Sequence, residues 1–397
     1  MLGRTECARS LIFSEANVRL KNKLGWTPLA EAISYGNRYI VKLLVFRMQR
    51  THNEEREKRI PVLSSKFMAV RDFQLTLKWD FHSWVPFLSR YLPSDVCKVY
   101  KKGNKIRLDS TLLDFRESMW QKGDVSFIFN ATKNQPLLML DNVQQVVHAV
   151  KTQYNASRSS SSSFVNDAGY DVNSDLHGQD YDTAYLMAHS IISASLDSNN
   201  VIFTRTKSGY FSSADKKETV GKFQADSYTV NNLILHQKKR KEHLPVEKRE
   251  DGRSFIKKFG NVQDLCFDDP PPPPANKMTW FEYINAPVGQ YNLGRPMMLK
   301  ESSKAYKAYV SMSQDFPLSL NVVMDLLELM APMKHFSKLR NFLNTRLPPG
   351  FPVKIEIPIL PTITATAMFT DFEWNDNLAD ELFVLPKHYR TAFINNL

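Results

Sequence analysis

The chain reads as an α+β protein: a short N-terminal helical-repeat remnant, then a β-rich, mainly antiparallel domain with a few helices and long flexible insertions. Three observations predict this class. A helical-hairpin signature lies within residues 1–50, runs of alternating apolar and polar residues recur at short spacing from Phe73 onward, and two strongly polar stretches interrupt those runs without ending them.

The first element rests on Gly25-Trp26-Thr27-Pro28-Leu29-Ala30-Glu31-Ala32. Thr27 and Pro28 start a helix where a missing amide hydrogen costs nothing, and Gly36 permits the tight turn between antiparallel helices. Ile40, Val41, Leu43 and Leu44 supply a buried stripe. Leu11 and Ile12 lie 32 residues before Leu43 and Leu44, close to the ankyrin period of about 33. Residues 1–50 are therefore expected to be an ankyrin-repeat remnant, a module that binds rather than catalyses. A solenoid needs about three repeats to bury a continuous core, so either upstream repeats are missing or the remnant leans on the domain C-terminal to it.

Residues 51–72 are expected to be a charged helical connector, because Glu54, Glu55, Arg56, Glu57, Lys58 and Arg59 fall at i,i+3 and i,i+4 spacing. From Phe73 the period changes to two: Phe73, Leu75, Leu77, Trp79 and Phe81 alternate with polar residues. Further strands are predicted over 96–100, 106–111, 125–129 and 136–140, with Lys102-Gly103-Asn104 and Lys122-Gly123-Asp124 as breakers. A serine tract at 157–163 opens a polar insertion, about 155–182, whose composition cannot repay the entropy of ordering. Strands resume over 201–206 and 219–235. A second insertion, about 236–276, contains Lys238-Lys239-Arg240-Lys241 and ends in Pro270 to Pro274, a polyproline II spacer. The last segment predicts helices over 320–330 and 336–343, then strands over 353–359 and 362–369 that complete the same core.

Composition bounds the function. At 397 residues and 43% hydrophobic, the chain can bury more than one core. Cys7, Cys97 and Cys266 are scattered without metal-ligand or disulfide spacing, and a reducing compartment fits them best. The most apolar long stretch, 353–370, is interrupted by Lys354, Glu356, Pro358 and Pro361, so no membrane-spanning helix is expected. A net charge of +11 favours anionic partners such as phospholipid headgroups, nucleic acid or acidic protein, and selects none of them by itself.

Longer motifs carry a resemblance. Lys78-Trp-Asp-Phe-His-Ser-Trp-Val-Pro86, Leu92-Pro-Ser-Asp-Val-Cys97, Ile106-Arg-Leu-Asp109, Gly123-Asp-Val-Ser-Phe127, Leu293-Gly-Arg-Pro296, Asp315-Phe-Pro-Leu-Ser319, Lys338-Leu-Arg-Asn-Phe342 and 347–358 resemble the GPCR-chaperone domain of the ankyrin repeat domain-containing protein 13 family. The likeness implies that residues 73–397 form that domain. No ubiquitin-interacting motif follows Arg390, a departure that resembles the family's C branch. The resemblance implies a cytosolic, non-enzymatic chaperone or retention factor on the cytosolic face of the endoplasmic reticulum membrane. Its implied partners are cytosolic segments of immature G protein-coupled receptors and the reticulum surface, not nucleic acid; no cofactor is implied. A lipid-binding peripheral module and a ubiquitin-linked endocytic adaptor are the alternatives.

Individual residues are weighed against plainer roles. Lys238, Lys239, Arg240 and Lys241 are the candidate contact with anionic membrane; nuclear targeting and a solvated loop are the other readings of such a run. Trp79, Phe81 and Trp84 are candidate receptor anchors, but the parity Trp79 and Phe81 share with Leu75 and Leu77 argues for burial. Asp171, Asn173, Asp175 and Asp182 partly match a calcium loop that lacks its glycine and its final glutamate. Pro270 to Pro274 has acidic neighbours and no basic one until Lys277, which argues against an SH3 ligand. No nucleophile elbow, phosphate loop or HExxH pattern occurs, so no catalytic or metal-binding residue is expected.

Overall fold

A computed structural model of the protein describes residues 4–85, 92–116, 119–130, 137–149, 180–197, 200–209, 212–245, 279–287, 295–330, 340, 343, 346–360 and 362–393. The chain divides into two compact units, each discontinuous in sequence. One comprises Met1–Glu55, Ser157–Ser195 and Leu235–Lys304; the other comprises Arg56–Ala156, Leu196–Ile234 and Ala305–Leu397.

The first unit begins with helices α1 (Thr5–Phe13) and α2 (Pro28–Tyr35) and with α3 (Arg38–Met68) as far as Glu55. The hairpin forms for the reasons the sequence suggests. The Thr27 hydroxyl accepts the Ala30 amide at 3.3 Å, Pro28 opens α2, and Gly36 ends it at φ 90°, a conformation that side chains resist. Asn37 then caps α3 through the Ile40 amide at 3.0 Å. Ile12, Val18, Trp26, Ala30, Ile33, Val41, Leu43 and Leu44 are buried together, and Met187 and Ile191 complete their core. Met187 belongs to α4 (Asp180–Ala188), a helix in a stretch whose sequence predicts a flexible insertion up to residue 182. Residues 51–68 of the expected charged connector are helical and continue α3, one helix of 31 residues that runs past Pro61.

The second unit is built mostly from strands of one large sheet. Its described strands are β1 (Phe73–Ser83), β2 (Ser94–Lys102), β3 (Lys105–Arg116), β4 (Met119–Asn130), β5 (Leu137–Asp141), β6 (Val146–Ala149), β7 (Ile191–Asp197), β8 (Ile202–Arg205), β11 (Lys217–Val220), β12 (Phe223–Arg240), β13 (Leu299–Ser313), β14 (Phe351–Leu360), β15 (Ile363–Trp374) and β16 (Arg390–Phe393). The short strands β9 (Lys207–Gly209) and β10 (Ser212–Asp215) pair apart from it. The main order is β11-β12-β13-β14-β15-β1-β2-β3-β4-β5-β6-β16, with β7 and β8 on β12. β11 and β8 run antiparallel to β12, the pairings from β13 through β15, β1 and on to β6 are antiparallel, and β16 lies parallel to β6. The protein is thus α+β and β-rich.

Alternation sets the register. Phe73 pairs with Trp374 and Leu75 with Phe372, which puts these side chains on one face. The core of this unit gathers Phe73, Leu75, Ile106, Phe129, Phe223, Phe316, Phe351, Val353 and Phe372. Phe316 stacks on Phe351 at 3.9 Å, and Leu326 of the helix Leu320–Met330 joins the same core. Each large side chain buried here contributes about 1.5–3 kcal/mol.

Two turn predictions meet different fates. Gly103, at φ 55°, turns β2 into β3 as expected. Lys122-Gly123-Asp124 is no breaker: it lies inside β4, opposite irregular register in β3. The predicted helix over 336–343 lies largely outside the described residues.

Candidate functional site

The lysine-arginine run is not the start of a flexible insertion. It forms the end of β12 and the turn after it, with the Leu244 amide on the Lys241 carbonyl at 3.0 Å. The candidate membrane residues therefore part company. Lys238 pairs with Glu301 at 2.9 Å near the surface, and Lys239 and Lys241 are half-buried. Arg240 is 2% exposed, which removes it from any headgroup.

Arg240 instead centres a buried ionic junction within the first unit. Its guanidinium donates to Glu242 Oε1 at 2.7 Å through Nε, to Glu31 Oε1 at 3.1 Å through Nη1 and to Ser34 Oγ at 2.9 Å through Nη2. It lies over the Trp26 ring at 4.9 Å from the centroid. The ankyrin signature orients these partners. Asn22 Oδ1 accepts the Trp26 amide at 2.9 Å, while Asn22 Nδ2 donates to Glu31 Oε1 at 3.0 Å. Ser34 Oγ donates to Glu242 Oε1 at 2.6 Å, Arg295 Nε donates to the Ser34 carbonyl at 3.0 Å, and the Met298 amide reaches Glu242 Oε2 at 3.3 Å. Burial alone would raise the Glu242 carboxyl; the Ser34 hydroxyl and the Arg240 charge outweigh it and hold the group below the ordinary glutamate range.

His243 is wholly buried beside this junction. Its Nε2 lies 2.9 Å from the His189 carbonyl oxygen, so Nε2 carries the proton, and Nδ1 has no hydrogen-bond partner among the described residues. Burial pushes the imidazole pKa below its ordinary value. Arg295 and Arg240 add to that shift, while the His189 carbonyl and the Glu242 carboxylate oppose it.

Chemically, the junction spends its charges on one another and holds chain segments together. Sequence reasoning missed Glu31, Ser34, Glu242 and Arg295 as its members. The signals were present in pieces: Glu31 belongs to the ankyrin signature, Ser34 lies between its Ala32 and Gly36, and Arg295 belongs to Leu293-Gly-Arg-Pro296.

A family model described as ANKRD13 C-terminal matches residues 107–392, more than half of the chain. The chain belongs to the ANKRD13 family. It is similar to ankyrin repeat domain-containing protein 13C of Homo sapiens, 42% identical over 98% of this chain and 70% of the human protein. Protein 13C-B of Xenopus laevis is likewise 42% identical, over 98% of this chain and 74% of its own length. Protein 13B of Homo sapiens is 33% identical over 93% of this chain and 60% of its own length.

Just before and within the ANKRD13 C-terminal region, polar residues form a lattice across β2, β3 and β4. Asp95 accepts from Ser110 Oγ at 2.5 Å, Thr111 Oγ1 at 2.7 Å and Cys97 Sγ at 3.3 Å. Burial would raise this carboxyl; the Ser110 and Thr111 donors more than offset it and keep its pKa low. The Cys97 thiol is pushed up to about 11 by burial and by Asp95, so it stays protonated and unreactive. Arg107 bridges Asp109 at 2.6 Å and Ser126 Oγ at 2.9 Å. These residues hold strands in register.

Of the aromatic candidates, Trp79 and Phe81 are half-buried and meet edge to face at 5.9 Å, whereas Trp84 is 76% exposed. Asp171, Asn173, Asp175 and Pro270 to Pro274 lie outside the described residues. Asp182 accepts from Gln49 Nε2 at 3.2 Å. Among the described residues, no cluster of three His, Cys, Asp or Glu side chains suits a metal ion, and no helix is long and apolar enough to cross a membrane.

Proposed function

We propose that this protein is a non-enzymatic chaperone or retention factor that binds immature G protein-coupled receptors through their cytosolic segments at the cytosolic face of the endoplasmic reticulum. What supports the reading is 42% identity over 98% of the chain to the family's 13C members, together with the GPCR-chaperone motifs. The chemistry is compatible with it, because the buried charges of the junction are spent on internal pairs.

The mechanism is mass action. A binder that prefers an incompletely folded receptor stabilises it by RT ln(1 + [L]/Kd) and loses its hold when the native receptor hides the bound segment. No nucleotide cycle is required. Co-precipitation from detergent-solubilised cells tests the reading: the high-mannose receptor is expected to be enriched over its mature form. Equal recovery of both forms, or receptor surface levels that do not move on depletion and overexpression, overturns it.

A further inference from the structure

In the large sheet, among the described residues, four strands pair on one side only: β7, β8 and β11 with β12, and β16 with β6. An open edge invites another chain, and shortness and charge are the usual defences. Strands β8, β11 and β16 have both: each is four residues long, and they carry Arg205, Lys217 with Glu218, and Arg390. Strand β7 has neither. Ile191-Ile-Ser-Ala-Ser-Leu-Asp197 runs for seven residues without lysine, arginine or proline, and its one charge is the terminal Asp197. Its side chains alternate across the strand. Ile191 is buried with Met187, whereas Ile192 is 55% exposed, Leu196 is 53% exposed and Ala194 between them is exposed too.

We infer that the open edge of β7 receives an extended segment of another polypeptide as an added strand, one with neutral apolar side chains at alternate positions beside Ile192 and Leu196. The backbone selects this occupant. The N–H and C=O groups along a strand edge are satisfied in a ladder only by a second extended backbone. A helix has already spent its own backbone groups, and a phosphate headgroup meets no cation between Ile191 and Leu196. The ladder then supplies affinity, and the alternating apolar side chains supply preference. The inference rests on the reading under Proposed function and names the surface that reading needs. An incompletely folded receptor segment offers a free extended backbone, and the native receptor withdraws it.

Fluorescence anisotropy of a labelled peptide of alternating threonine and valine, titrated with the full chain, tests the inference. The wild type is expected to bind it, and Ile192→Lys/Leu196→Lys to bind about tenfold more weakly. The same peptide N-methylated at consecutive residues keeps its side chains, loses its ladder donors and is expected not to bind. Ile192 and Leu196 are exposed, so an unchanged melting temperature shows that the double variant is folded, and the N-methyl comparison needs no variant. A wild type that ignores the peptide, an N-methylated peptide that binds as well, or a folded variant that binds as well overturns the inference. So does a wild-type dimer that the variant abolishes, which gives the edge to a second copy of this chain. The receptor reading is judged separately by co-precipitation. If wild type and variant recover the high-mannose receptor equally, that reading stands and β7 is not its surface; if the wild type recovers none, that reading falls and the peptide still decides the edge.

Discussion

Arg240 shows how far a residue's role depends on what folds beside it. In sequence it is one of four consecutive cations, and the usual reading of such a run is a solvated or anion-binding face. In the fold its guanidinium meets Glu242, Glu31 and Ser34 at 3.1 Å or less, while Lys238, two residues away, pairs with Glu301 at the surface. The two positions are predicted to respond differently. Arg240→Ala leaves Glu242 buried without its counter-charge and is expected to cost about 3–5 kcal/mol. Lys238→Ala removes an exposed pair and is expected to cost less than about 1 kcal/mol. Urea unfolding of the two variants checks both values. Nothing local marks the difference, because Ser34 and Glu242 are separated by 208 residues. The ankyrin residues of the junction were legible as a motif; their partners were not.

At the scale of elements, period-two alternation located β1 and β14, and shorter strand-like or β-branched runs located β2, β12 and β15. Breakers were less dependable. Gly123 was absorbed into β4, where irregular pairing accommodates it. The polar run 236–240 became strand because neighbouring segments supply partners such as Ser303, 2.6 Å from His236. Gly221 is the turn whose identity matters most. It joins β11 to β12 at φ 58°, and a methyl group there would overlap the Thr370 carbonyl, which accepts the Lys222 amide at 3.1 Å. Gly221→Ala is predicted to lose about 1–3 kcal/mol from backbone strain alone, with the overlap adding to it. A thermal melt falling by several degrees confirms this; an unchanged melt refutes it.

For the molecule as a whole, acid is the expected point of weakness. His243 is neutral in the fold because burial lowers its pKa, so the unfolded chain binds the extra proton. Stability is then full above the ordinary histidine pKa of about 6.5 and declines as pH drops toward the lowered folded value. Glu242, also held low, loses its contribution only further down, as pH falls from the ordinary glutamate value of about 4.3 through its folded one. Melting temperature is predicted to fall between pH 7.5 and pH 5.5. His243→Gln, which keeps an amide donor for the His189 carbonyl, is predicted to flatten that fall; an equally steep fall in the variant assigns it to other groups.

The discontinuity of the first unit also sets a schedule for synthesis. Its three stretches end at residues 55, 195 and 304, so the ankyrin hairpin leaves the ribosome long before Arg240 and Arg295 exist to meet Glu31 and Ser34. At roughly 5–20 residues per second, the newborn hairpin waits on the order of ten to fifty seconds with Trp26 lacking its cation.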